Sequence, residues 1–168
     1  GVVEFSSLDS GQWTRLDIYY PGCRPYDFTL ADLDGDGLDD LVTLGGAAKV
    51  LTNMLGNGRP GFWGFPALSL DGIPGSFVSQ DLDGDGTDDL LVTDAEGSTI
   101  SFFARMPEGP FFPSGLAWDL GFIPGRILVT NMDGDPDWEL VVLDFLAAEL
   151  VVMDFALETG FTEISRTA

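Results

Sequence analysis

The sequence predicts an all-β fold of four-stranded antiparallel blades, a β-propeller arrangement of which about three and a half blades are present. Three observations predict it. An acidic, glycine-rich nonapeptide, Asp32-Leu33-Asp34-Gly35-Asp36-Gly37-Leu38-Asp39-Asp40, recurs as Asp81-Leu82-Asp83-Gly84-Asp85-Gly86-Thr87-Asp88-Asp89 and, altered, as Asn131-Met132-Asp133-Gly134-Asp135-Pro136-Asp137-Trp138-Glu139. The copies start 49 and then 50 residues apart, a period that marks a repeat architecture. Each copy is flanked by short β-branched runs, and the only helix-friendly stretch, Asp144 to Glu149, is too short to stand alone.

Taken in order, Val2 to Leu8 and Trp13 to Tyr20 read as the third and fourth strands of an incomplete blade over residues 1–20. Blades over 21–70, 71–120 and 121–168 follow, all within one repeat domain, 1–168. Pro25, Pro74 and Pro124 stand seven residues before each loop, and a first strand such as Phe28 to Ala31 or Ile127 to Thr130 leads into it. The second strand is Leu41 to Leu44, Leu90 to Thr93 or Leu140 to Leu143, which makes the loop a hairpin turn. Third strands are expected at Lys49 to Asn53, Thr99 to Phe103 and Leu150 to Met153. Fourth strands are expected at Phe62 to Leu70, Phe111 to Leu120 and Phe161 to Ser165, opened by turns at Gly58-Arg59-Pro60, Glu108-Gly109-Pro110 and Thr159-Gly160. An open arc leaves an apolar sheet face bare at each end, so further polypeptide or another chain is expected to complete it.

Composition narrows the chemistry. A net charge of -21, from 28 Asp and Glu against 7 Lys and Arg, disfavours nucleic acid and anionic membrane as partners. The three loops hold five, five and four of these acids, half of the total. Carboxylates gathered so closely repel one another unless a cation lies between them. There is no histidine and a single cysteine, Cys23, so zinc, copper and haem ligand sets and an internal disulfide are excluded. Cys23, with only Arg24 beside it to lower its pKa, reads as a small hydrophobe. No run approaches the roughly 18 apolar residues of a membrane span, and no basic-then-apolar leader opens the chain. Because it starts at Gly1 without methionine, the chain is expected to be a processed or excised piece.

Within the first loop, Asp32, Asp34 and Asp36 alternate at positions one, three and five, so their side chains can share one ion. Leu38 offers a backbone carbonyl at position seven, and Asp40 at position nine closes the shell. The second loop offers Asp81, Asp83, Asp85, the Thr87 carbonyl and Asp89; the third offers Asn131, Asp133, Asp135, Asp137 and Glu139. Glycines at positions four and six let the backbone curl around the cation. Flexible, all-oxygen ligation with this many carboxylates favours Ca2+ over Mg2+. A helix-loop-helix calcium site needs glutamate at position twelve, where this chain has Thr43, Val92 and Val142. In the third loop Asn131 replaces a carboxylate, Pro136 a glycine and Glu139 the last aspartate, so a weak or absent site is expected there. A metal-free turn is the competing reading, but a turn needs one or two aspartates rather than five.

These loops in their four-stranded setting resemble the calcium-binding repeats of the FG-GAP and VCBS families, known from integrin α-subunit propellers and secreted bacterial proteins. The resemblance covers nearly the whole chain and implies an extracellular β-propeller with calcium between the first two strands of each blade.

Trp13, Trp63, Trp118, Trp138 and Phe111-Phe112 are expected to pack between blades rather than to form a sugar-stacking surface. With no histidine and only Lys49 as lysine, no acid–base pair or activated nucleophile is legible, so the chain is not expected to be an enzyme. The expected role is a secreted or cell-surface scaffold that binds a protein or glycan. Two alternatives stand beside it: a structural subunit completed by neighbouring copies in an oligomer or filament, and a non-catalytic accessory segment of a larger secreted enzyme.

Overall fold

The structure, a computed structural model, describes residues 3–9, 12–19, 24–46, 49–55, 63–64, 67–105, 112–135 and 137–167. Val2, Tyr20, Cys23, the turns at 58–60 and 108–110, Phe62, Phe111 and Pro136 lie outside the described residues, as do the side chains of Trp13, Trp63 and Phe112. Among the described residues there is no helix, and therefore none long and apolar enough to cross a membrane.

The fold is all-β. Strands β1 (Val3–Asp9) and β2 (Gln12–Tyr19) pair antiparallel as a separate two-stranded sheet. Sheet 1 runs β3 (Asp27–Ala31), β4 (Asp40–Gly45), β5 (Val50–Leu55), with β6 (Trp63–Gly64) and β7 (Leu68–Ser69) both paired to β5. Sheet 2 is β8 (Pro74–Gln80), β9 (Asp89–Asp94), β10 (Thr99–Ala104), β11 (Phe112–Asp119), in that spatial order. Sheet 3 repeats it with β12 (Pro124–Thr130), β13 (Trp138–Asp144), β14 (Glu149–Ala156) and β15 (Gly160–Thr167). Every pairing is antiparallel and, apart from that of β5 with β7, joins neighbours in the chain, so each sheet is a meander that can fold from local contacts.

The prolines behave differently from expectation at two of three sites. Pro74 and Pro124 open β8 and β12 rather than preceding them, and the ladder slips between Pro74 and Phe77 and between Pro124 and Ile127. A proline at the first residue of an edge strand removes no ladder hydrogen bond, so the strand can begin on it. Asp144 to Glu149, the helix-friendly stretch, is the β13–β14 turn, where the Asp144 Oδ1 accepts the Leu146 and Ala147 amides.

The sheets stack through alternate side chains. Val42, Leu44 and Leu51 of sheet 1 pack against Phe77, Leu90, Val92 and Phe103 of sheet 2. Leu91, Ile100 and Phe102, on the other face of sheet 2, pack against Ile127, Leu140, Val142, Val151 and Met153 of sheet 3. With both faces covered, β9 must be apolar at consecutive positions, which is why Leu90-Leu91-Val92 runs without alternation. Trp118 adds aromatic contact across the second interface, its ring 5.5 Å from Phe155 and 5.4 Å from Phe161. The first strands stay together, β8 lying against both β3 and β12, so the three acidic loops that follow them emerge on one side of the stack.

Candidate metal sites

Each loop is closed by a strand pair of fixed register: Ala31 opposite Asp40, Gln80 opposite Asp89 and Thr130 opposite Glu139. Position nine is thus the first residue of the second strand in the first two copies and the second residue, after Trp138, in the third. Its side chain turns inward beneath the loop, and Asp40, Asp89 and Glu139 are all buried. In each copy that carboxylate accepts the backbone N–H of position two: Leu33 to Asp40 at 2.8 Å, Leu82 to Asp89 at 3.2 Å, and Met132 to Glu139.

Position one organises the tip. Asp32 accepts the Gly35 amide on Oδ1 and the Gly37 amide on Oδ2, both at 2.8 Å. Asp81 does the same with Gly84 at 2.8 Å and Gly86 at 3.1 Å. The carboxylates at three and five each accept the amide two residues on, as Asp34 from Asp36 and Asp36 from Leu38. These are short side-chain-to-backbone turns of the kind aspartate favours. Positions four and six hold positive φ, +73° and +83° at Gly35 and Gly37, +79° and +91° at Gly84 and Gly86. Glycine adopts this backbone without the β-carbon penalty.

The geometry gathers Asp32, Asp34 and Asp36 into one group, Asp81, Asp83 and Asp85 into a second, and Asp133, Asp135 and Glu139 into a third; within each, one carboxylate oxygen per residue lies within 4.8 Å of the others. Such convergence suits a divalent cation with oxygen ligands. Asp40 and Asp89 lie outside the first two groups and support the turns from below, whereas Glu139, one methylene longer, joins the third. Asp137 lies outside the third group, its amide donating to the Asp135 carboxylate at 2.9 Å.

The changes in the third loop compensate one another. Gly37 and Gly86 show that position six needs positive φ, which Pro136 cannot adopt, and proline has no N–H to offer the second oxygen of position one. Asn131 replaces that oxygen with an amide group. Its Oδ1 still accepts the Gly134 amide at 2.7 Å, while its Nδ2 donates to the Asp135 carbonyl.

Three residues tie the loops together: Arg105 and Asp88, which sequence reasoning passed over, and Trp138, which it expected to pack between blades. Arg105, buried just after β10, donates its Nε–H to the Leu33 carbonyl in the first loop, and its amide donates to Asp89 Oδ1 at 3.0 Å. Burial holds its guanidinium below the ordinary arginine pKa, while the charges of Asp34 and Asp40 act in the opposite direction. Asp88 faces both Asp32 and Asp81; burial, then these two charges, push its carboxyl above the usual range. Burial also pushes Asp89 up to about 6, against the lowering effect of the amides it accepts, first that of Arg105. Trp138 spans the next gap, its indole N–H 3.1 Å from the Asp81 carbonyl. The one available signal was the break in repetition at position 105, where the other copies have Gly56 and Phe155.

No protein-family model and no curated protein matches this chain. Among solved structures it is similar to a crystal structure of a protein from Lactobacillus plantarum, with a TM-score of 0.69 at 15% sequence identity. The match covers 98% of this chain and 48% of that one, so this chain spans about half the length of its structural neighbour. At this identity the likeness concerns the fold.

Proposed function

We propose that the chain is a calcium-stabilised β-propeller segment of an extracellular or cell-surface protein, serving as a non-catalytic scaffold that binds a protein or glycan. The observation that carries this reading is the convergence of three carboxylates in each of three equivalent hairpin loops on one side of stacked meander sheets. The resemblance to FG-GAP and VCBS repeats supports calcium as the ion. At about 1 mM free calcium, sites with dissociation constants of about 10⁻⁴ to 10⁻³ M each add roughly 0.4 to 1.4 kcal/mol. Such ions staple turns and leave the outer surfaces for recognition. Thermal melting with calcium and with chelator tests the claim, and an unchanged midpoint would contradict it.

A second reading, assembly with further polypeptide or another copy, draws support from β15. Its residues Thr162 to Thr167 are all exposed, Ile164 among them at 54%, on the last edge strand of sheet 3. Mass in solution as a function of concentration discriminates the two, since a monodisperse monomer would rule out self-assembly.

A further inference from the structure

The order of the three sites deserves to be reversed from what the loop sequences suggest. Asp40 and Asp89 are both held by protein donors: Asp89 accepts an amide on each oxygen, from Leu82 and from Arg105, and Asp40 accepts the Leu33 amide with the Arg105 guanidinium close enough to act on it electrostatically. Glu139 differs. Its Oε2 accepts the Met132 amide, but its Oε1 is fully buried and meets no hydrogen-bond partner among the described residues. The reason lies in the neighbouring strand. The residue that matches Arg105 one repeat later is Phe155, and it is taken up into a longer ladder, paired with Trp138 within β13–β14. No arginine stands at that position to supply positive charge.

A buried carboxylate oxygen without a partner is strongly unfavourable, and the Glu139 carboxylate has an oxygen within 4.8 Å of carboxylate oxygens of Asp133 and Asp135. A cation satisfies all three at once. In the first loop, by contrast, Arg105 already places a positive charge beside Asp34 and Asp40 and so opposes a second cation. Resting on the calcium reading above, we propose that the third loop, despite Asn131 and Pro136, is the tightest divalent-cation site of the chain, with Glu139 as a direct ligand together with Asp133 and Asp135.

The test is calcium titration calorimetry on the 168-residue chain, paired with terbium luminescence sensitised by Trp138, the only tryptophan in any of the three loops. Glu139→Gln keeps the shape and an acceptor for the Met132 amide, and Asp133→Asn alters an exposed side chain, so both variants should fold. Each is expected to weaken the tightest calcium event by at least about tenfold and to diminish the sensitised terbium signal, while Asp34→Asn and Asp83→Asn leave that event in place. If the tightest event survives Glu139→Gln and disappears in Asp34→Asn or Asp83→Asn, the ranking is overturned while the calcium reading stands. If wild-type protein binds no calcium at all, both fall.

Discussion

The indole of Trp138 in the third loop donates a hydrogen bond to the carbonyl of Asp81, the first residue of the second loop, at 3.1 Å. Sheets 2 and 3 are thereby joined at their loops as well as through their apolar faces. Trp138→Phe keeps the ring and removes the donor, leaving a part-buried carbonyl unpaired. Its expected cost is about 1 kcal/mol. Because Trp138 neighbours Glu139, calcium should also change its fluorescence, and that change should be absent in Trp138→Phe.

Arg105 makes the corresponding connection between sheets 1 and 2, through its side chain to Leu33 and its amide to Asp89. Removing a buried cation that acts on Asp34 and Asp40 leaves their charges uncompensated, so Arg105→Met is expected to cost about 3 kcal/mol. Calcium should then stabilise the variant more than it stabilises the wild type, since a cation in the first loop no longer meets a competing charge. Equal calcium-induced shifts in melting midpoint would show that Arg105 and the ion act independently.

The strands and the turns were legible because both follow from local pattern: β-branched runs for the strands, and Asp with Gly at fixed spacing for the loops. Position nine shows where this reasoning stops. Asp40 and Asp89 look like further ligands in the sequence, yet the strand register turns them beneath the loop, to amides two residues into it. Register is a property of the paired strand and cannot be read from the loop. Arg105 was invisible for a similar reason, since the Leu33 carbonyl that its side chain meets lies one sheet away at a sequence distance of 72 residues. Glu139 counted in the sequence among the changes for which a weak or absent third site is expected, whereas the structure sets it apart by its place in the carboxylate group and the burial of its Oε1.

The glycines separate backbone strain from steric exclusion. A β-carbon at Gly37 or Gly86 would meet nothing within 4 Å, so alanine there is opposed only by positive φ. Each substitution is expected to cost about 1 to 2 kcal/mol. Gly160 also has positive φ, +82°, but a β-carbon there would collide with the Trp118 ring, which is itself wedged against Phe155 and Phe161. Gly160→Ala should therefore lower the urea midpoint clearly more than Gly86→Ala does. Equal losses would mean that Trp118 moves aside freely.

Tyr26 supplies a pH-dependent contact away from the loops. Its hydroxyl donates to the Pro74 and Gly75 carbonyls, linking sheet 1 to the start of β8. Burial, aided by the charge of Asp27, pushes its pKa up to about 12 from 10.0. A raised folded-state value means that the contribution is complete below pH 10.0 and is lost as pH climbs through about 12. Absorbance titration should show a late-ionising tyrosine that Tyr26→Phe eliminates.

Leu90 and Leu91 test the stacking itself. They are adjacent on β9 and equally buried, but Leu90 belongs to the interface with sheet 1 and Leu91 to the interface with sheet 3. Either leucine cut to alanine leaves a cavity and is expected to cost about 2 to 5 kcal/mol. The locations of the damage should differ. Leu90→Ala should speed amide exchange in β4 and β5, and Leu91→Ala in β13 and β14, because each cavity lies between β9 and only one neighbouring sheet. Since the two side chains share no packing partner across the sheet, the double variant should lose close to the sum of the single losses. A double variant much less damaged than that sum would mean that the first cavity already separates all three sheets, and that the stack unfolds as one unit rather than interface by interface.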